Sequence, residues 1–168
     1  MQHFTFQLNY DELSYTVMSY TGDDDEIIIP ECFGGKPVTI LFDKLFAGHS
    51  EIRSVLLPDT ITDLGEFLFD GCNELRHLKL PSELKFLWGY TFVRCGLEEI
   101  IIPDGVTSIP PYAFKDCKNL QKVVFGTGLK KIYDWAFGGC DKLTEVVYKT
   151  NVDISPHAFG TNENILVI

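Results

Sequence analysis

Four cysteines at a nearly constant interval are the residues whose type could best support chemistry. Cys72, Cys95, Cys117 and Cys140 lie 22 or 23 residues apart. Zinc binds thiolates, but its ligands must converge on one point, whereas positions that recur once per repeat lie along a line. Stacked identical positions do not guarantee disulfide geometry either. We therefore expect four buried free thiols that act as small apolar groups, as suits a reducing compartment, and the role of Cys32 is left open.

Other groups that could support chemistry have simpler structural explanations. The acidic run Asp23–Glu26 lacks the spaced carboxylates and the glycine of an EF-hand loop, so we expect a solvated turn and no metal. Gly34-Gly35-Lys36 runs into Pro37, which lacks the backbone donor that a phosphate-binding loop uses. The four histidines are scattered, and no common hydrolase, zinc-protease or phosphate-loop motif occurs. The sequence therefore predicts no enzymatic activity, no metal and no cofactor.

A longer repeat carries the cysteines, because a phenylalanine returns every 22 or 23 residues. The series is Phe46, Phe69, Phe92, Phe114, Phe137 and Phe159. Within one repeat, Leu120, Val123 and Phe125 alternate as in a short strand, and Leu129 and Ile132 point inward after a glycine turn. A period of this length indicates a solenoid, in which we expect the phenylalanine rings to form a buried spine.

The opposite side of each coil is predicted to hold a short helical element. The segment 134–137 is too short for a stable isolated helix, so we expect a helical or 3₁₀ turn that packing holds in place. Stacked coils also predict a parallel sheet. The sequence thus predicts an α/β solenoid of about six coils.

Both ends of the solenoid carry recognisable signals. Alternating apolar residues predict a β-hairpin over residues 3–20, so we assign 1–26 to an N-terminal cap and 27–168 to the solenoid, within one structural domain. At the other end, Ile165–Ile168 enters a strand and stops. This indicates a truncation, or an edge strand that pairs with another chain.

Charge and hydropathy exclude several classes of partner. A formal net charge of −10 and a pI near 4.7 disfavour nucleic acid and anionic membranes. No run approaches the roughly 18 apolar residues of a membrane helix. The first twenty residues lack the pattern of an export signal, so the chain as it stands is expected in the cytoplasm.

The repeated motif is best developed in LEEIIIPDGVTSIPPYAFKDC, residues 97–117, and resembles the BspA-type leucine-rich repeat. The segment IIIPECFGGKPVTILFDKLF is similar to the first coil of that family. The resemblance implies a right-handed solenoid with the parallel sheet on its concave side. It also implies an adhesion-like, protein-binding role at a bacterial cell surface or in secreted form, with no catalytic residues.

The outward residues of the predicted sheet form the candidate site. One column, between the inward positions, is Leu56, Lys79, Ile101, Val124 and Val147, and the column two residues earlier is Ser54, His77, Glu99, Lys122 and Glu145. The first column is largely aliphatic, and exposed apolar patches mark interaction surfaces, although β-branched residues also simply favour strands. Alternating charges in the second column support the sheet, or the specificity of a partner. A contact of His77 that responds to pH is a further hypothesis.

We therefore expect a non-enzymatic scaffold that binds a protein ligand on its concave sheet. The alternative is a structural module that associates with itself through the edge strand at its C-terminal end. The sequence identifies neither the ligand nor the oligomeric state.

Overall fold

The computed structural model describes residues 2–149, 151–163 and 165–167 of the 168-residue chain. Within these ranges the regular elements are fifteen β-strands, and no helix occurs. In chain order the strands are β1 His3–Leu8, β2 Tyr15–Thr21, β3 Glu26–Ile28, β4 Cys32–Phe33, β5 Lys36–Leu41, β6 Ser54–Leu56, β7 Asp63–Leu64, β8 Phe86–Leu87, β9 Glu99–Ile102, β10 Ser108–Ile109, β11 Lys122–Phe125, β12 Lys131–Ile132, β13 Glu145–Val147, β14 Asp153–Ile154 and β15 Leu166–Val167.

An antiparallel hairpin of β1 and β2 covers the N-terminal end of the stack. The Asp11 carboxylate accepts the backbone N–H of Leu13 at 2.8 Å, which fixes the turn between the strands. Strand β2 then pairs in parallel with β5, so the hairpin extends the solenoid by one strand. The hairpin lies where the sequence places it, and the domain boundary at residue 26 stays a prediction.

Each coil contributes strands to two parallel sheets that share one core. The first sheet contains β3 and β6 in one block and β9, β11, β13 and β15 in another. The second sheet contains β2, β5, β7 and β8 in one block and β10, β12 and β14 in another. Its short strands end at the inward residue that follows the turn of each coil, such as Leu64 or Ile132. The sequence predicts only the first sheet.

The first sheet is interrupted at the third coil, and the second sheet is interrupted directly after it. In the first sheet, residues 77–80 still alternate, with Leu78 and Leu80 buried, but they form no ladder with either neighbouring coil. In the second sheet the break between β8 and β10 has a chemical cause at Pro110. The equivalent residues Trp88 and Tyr133 donate their N–H to the preceding coil, at 3.1 and 3.0 Å, and proline has no N–H to donate.

The predicted helical turns are wrong, and the chain is an all-β solenoid rather than an α/β protein. In the turns that contain the spine phenylalanines, alternate backbone N–H groups bond across coils: Phe69 donates to the Thr91 carbonyl at 2.8 Å and Gly71 to the Val93 carbonyl at 3.1 Å. An α-helix would need those N–H groups for bonds four residues back. Left-handed residues such as Trp135, with φ of 58°, also prevent helical continuation.

The phenylalanine spine is confirmed. Successive rings from Phe46 to Phe159 stack with centroids 4.9–5.5 Å apart and interplanar angles of 5–22°. The first five rings are completely buried, and Phe159 is partly buried. One ring per coil therefore runs through the core along the axis of the stack.

The four column cysteines are buried free thiols, as predicted, while Cys32 is exposed. The Cys117 and Cys140 thiols each lie 3.0 Å from a backbone carbonyl of an earlier coil, to which they donate. Burial raises the pKa of the Cys95 thiol to about 12 and also raises that of Cys117. Both thiols therefore stay protonated and act as small donors within the core.

Replacing Phe137 by Ala should destabilise the fold by about 3–5 kcal/mol, because it removes a completely buried ring that stacks on two neighbours. Urea denaturation followed by circular dichroism measures the change. Phe86→Ala is the matched control, since that ring is 54% exposed and should cost less than about 1 kcal/mol. Similar losses in both variants would contradict a spine that carries stability.

Thiol labelling under native conditions should modify one of the five cysteines, Cys32, and labelling in denaturant should modify all five. The buried thiols are inaccessible and protonated, so they react only after the coils open. Mass spectrometry after brief iodoacetamide treatment counts the modified sites. Rapid native modification of Cys95 would show that the core is not closed around the column.

Gly96→Ala should destabilise the protein by about 1–3 kcal/mol through overpacking. Gly96 lies in a coil shortened by one residue, and a Cβ there would be 2.1 Å from the carbonyl oxygen of Asn73. At Gly89 the nearest atom to an added Cβ would be 3.5 Å away, so Gly89→Ala is the matched control and should be nearly neutral. Equal unfolding midpoints for the two variants would contradict the close approach at Gly96.

Candidate binding surface

Outward side chains of the first sheet are aligned by the strand register. Ile101 is paired with Val124, and Val124 with Val147, so three aliphatic side chains lie side by side on adjacent strands. Ile101 is 68% exposed, and the two valines are half-buried. This half of the predicted column therefore forms a continuous apolar patch, which we call the aliphatic patch.

The other half of the predicted column is separated from the aliphatic patch. Leu56, 64% exposed, lies on β6 in the first block. Lys79 is exposed between the two blocks, on the segment 77–80 that forms no ladder in the first sheet. Depressions of about 380 Å³ and 410 Å³ flank this coil, one beside Leu56 and the other beside Ile101. The five predicted residues thus form two patches with a cation between them.

The polar column lies beside the aliphatic patch and carries an ion pair. Lys122 is in register with Glu99 on one side and Glu145 on the other. Its ammonium is 2.8 Å from the Glu145 carboxylate, and this hydrogen bond, with the charge of the same carboxylate, raises the pKa of Lys122. Both side chains are nearly half exposed, so the pair adds little stability and mainly fixes the charge pattern.

His77 and Ser54 complete the polar column at its other end. Ser54 pairs with Glu26 of β3, and both are exposed. His77 lines a shallow depression of about 360 Å³ together with Glu99 and Lys122. The structure thus brings His77 near the charged row, and its suggested response to pH stays a prediction.

Sequence reasoning missed Ile28, which belongs to the candidate surface. Ile28 is paired with Leu56 and is 59% exposed, so the two form a second, smaller apolar patch. The signal was available, because residues 27–30 read Ile-Ile-Ile-Pro and residues 100–103 read the same. The outward column of the repeat therefore begins one coil earlier, at Ile28.

A second apolar ladder was also missed, on the turn side of the solenoid. Phe67, Tyr90 and Tyr112 each precede a spine phenylalanine by two residues and stack with centroids 4.5 and 4.9 Å apart. Their backbones are all left-handed. Because the ring faces stack on one another, they are not free to contact a ligand, and we regard this ladder as structural.

Among the residues that the structure describes, no group of three or more His, Cys, Asp or Glu side chains is placed to hold a metal ion. The described part of the chain also contains no helix with the length and hydropathy of a membrane span.

Comparison with protein families decides what kind of solenoid this is. Six copies of the BspA type leucine-rich repeat region match residues 39–166. The chain belongs to the BspA type leucine-rich repeat family. This confirms the resemblance seen in the sequence, and the coils described above are the repeats of that family. A comparison with curated proteins gave no match.

Solved structures of bacterial leucine-rich repeat proteins share the fold. A Treponema pallidum protein is 24% identical with a TM-score of 0.72, over 90% of this chain and 82% of its own. A Bacteroides ovatus protein is 21% identical with a TM-score of 0.76, over 99% of this chain and 51% of its own. A cell surface protein of Faecalibacterium prausnitzii is 25% identical with a TM-score of 0.72, over 99% and 54%. This chain therefore spans about half the length of the last two.

Proposed function

We propose that this leucine-rich repeat chain is a non-enzymatic scaffold that binds a protein ligand on the outer face of its first sheet. The observation that carries the proposal is the aliphatic patch of Ile101, Val124 and Val147. Propensity accounts for β-branched residues in strands, but it does not account for an isoleucine left 68% exposed beside a row of charges. An apolar centre with a charged rim is the usual anatomy of a protein-binding surface.

The size of the patch sets the scale of the interaction. Full burial of an isoleucine or valine side chain contributes roughly 1.5–3 kcal/mol. Three side chains that are already partly buried therefore support moderate affinity unless a ligand also engages the charged row. Because β11 and β13 are held by ladders on both sides and β9 by its ladder with β11, little ordering cost opposes binding.

The ion pair beside the patch supplies selectivity in this proposal. A ligand that approaches Ile101 meets Glu99 and Glu145 on either side of Lys122. Rim charges of this kind mainly steer encounter and reject partners of the wrong charge. A ligand with basic residues near its apolar contact fits this surface best.

A bacterial surface or secreted location is part of the same proposal. It is supported by family membership and by the similar fold of the F. prausnitzii cell surface protein. An adhesion-like role would follow from a ligand in the host matrix. Cell fractionation with an antibody against this chain tests the location, and signal confined to the cytosol would overturn it.

Self-assembly through the C-terminal edge is the second candidate. Strand β15 pairs only with β13 in the described structure and lies at the end of the first sheet, with Leu166 59% exposed. Ile168, which the sequence analysis included in this edge, lies outside the described residues. Changing Leu166 to Lys should abolish any self-association, as measured by light scattering, if this edge is an interface.

The double variant Ile101→Asp/Val124→Asp should lose the ligand while it keeps the fold, because two charges would then occupy the apolar contact. Affinity capture from cytosolic lysate and from a panel of extracellular matrix proteins measures the loss, and circular dichroism checks folding. Thr107→Asp/Thr161→Asp is the matched control, since it adds two charges at exposed positions away from the patch. Equal capture by wild type and both folded variants would overturn the proposed site.

A further inference from the structure

A concave space lies away from the first sheet, between the N-terminal hairpin and the second sheet. It encloses about 630 Å³. The hairpin contributes Leu8 and Tyr10, and the second sheet contributes Phe42 and Trp88. All four side chains are exposed, from 39% at Leu8 to complete exposure at Tyr10. We call this space the hairpin groove.

Gly65 forms the floor of the hairpin groove between two aromatic rings. Phe42, Gly65 and Trp88 occupy equivalent positions in successive coils, since each donates its N–H to a carbonyl of the preceding strand, at 2.9–3.1 Å. A Cβ at Gly65 would lie 2.7 Å from the backbone nitrogen of Asp43, so the backbone approach requires glycine there. Without a side chain at Gly65 the backbones of the two coils pack closely, and the aromatic side chains of Phe42 and Trp88 line the groove in the coils on either side.

Carboxylates line the same groove. Asp43, Asp63 and Glu66 face the groove, and its described lining contains no lysine, arginine or histidine. One Asp43 oxygen accepts the N–H of Glu66 at 2.8 Å, and one Asp63 oxygen accepts the Thr62 hydroxyl at 2.6 Å, so neighbouring groups orient both side chains. Glu66 is exposed, and none of its side-chain contacts in the described structure is an ion pair.

We propose that the hairpin groove binds an arginine side chain of a partner peptide. Aromatic walls with nearby carboxylates and no cation are complementary to a flat, apolar-faced cation. A guanidinium stacks on Trp and Phe faces while its edge pairs with carboxylates, which an ammonium does less well because it is a compact, strongly hydrated charge. The apolar surface of Leu8 and Tyr10 accommodates aliphatic residues beside the arginine.

The charge of the whole chain favours the same occupant. A net charge of −10 concentrates cations near the surface, and a cleft lined by carboxylates focuses that field. A second copy of this chain is disfavoured, because two such surfaces would bring their carboxylates together.

This site is independent of the ligand surface on the first sheet. Its residues belong to the hairpin and to coils of the second sheet, and none of them lies in the aliphatic patch. Loss of binding in the Ile101→Asp/Val124→Asp variant should therefore leave the hairpin groove unchanged, and the two proposals can fail separately.

Nuclear magnetic resonance titration with blocked pentapeptides tests the proposal. The probes are Gly-Leu-Arg-Leu-Gly and its counterparts with Lys or Glu in the central position. With the arginine peptide we expect shifts of the Gly65 amide and the Trp88 indole, with the Trp135 indole unmoved. The lysine peptide should bind more weakly, and the glutamate peptide should produce no shift. The Trp135→Phe variant allows the same binding to be followed by fluorescence of Trp88 alone.

Glu66→Gln should weaken the arginine peptide by about fivefold, the change expected for loss of a surface charge pair. Glu83→Gln is the matched control, because this substitution removes the same charge from an exposed residue that lies outside the groove. Absence of shifts at Gly65 and Trp88, equal shifts with the glutamate peptide, or equal weakening by both variants would each overturn the proposal. If the resonances of groove residues shift with protein concentration when no peptide is present, the groove binds a second copy of the chain, and the proposal is overturned.

Discussion

Every coil must repeat at one spacing, and stacked phenylalanine rings satisfy the same spacing as the backbone ladders. The ring centroids are 4.9–5.5 Å apart, close to the roughly 4.8 Å between neighbouring strands of a sheet. A flat ring therefore fits one per coil without disturbing the ladders. The two sheets, the buried thiols and both candidate surfaces inherit their alignment from this match.

Turns on the far side of each coil carry a conformational cost that side chains offset. Phe67, Tyr90 and Tyr112 adopt positive φ values of 53–60°, which cost of order 1 kcal/mol each for residues other than glycine. Their mutual stacking is worth a comparable amount, about 0.5–1.5 kcal/mol per pair. The turn can thus present alternate N–H groups to the next coil without a glycine at this position.

Features that depend on the same residue type recurring at the same position of each coil can be predicted from the sequence. The spine, the buried thiols and the outward position of Ile101 follow from the repeat, because each coil applies the same inward and outward pattern. Helical turns were predicted wrongly, since short polar segments before Phe137 read as helical when inter-coil hydrogen bonds are not considered. The hairpin groove could not be predicted either, because it joins Tyr10 to Trp88 through the pairing of β2 with β5. The outward position of Ile28 is predictable, because its Ile-Ile-Ile-Pro segment repeats the one that contains Ile101.

The interruption of the first sheet at the third coil, and of the second sheet directly after it, has a consequence for how the protein opens. Nearest-neighbour coupling is what makes a solenoid unfold as one unit, and here the coupling by strand ladders is absent at these two adjoining breaks. We therefore expect the coils before and after this seam to open as two separate units, which the phenylalanine spine and the turn hydrogen bonds join. Fluctuations should concentrate at the seam, so the two halves can tilt slightly against each other. The hairpin groove lies in the first half and the aliphatic patch in the second, so each surface moves as a rigid body with its own half.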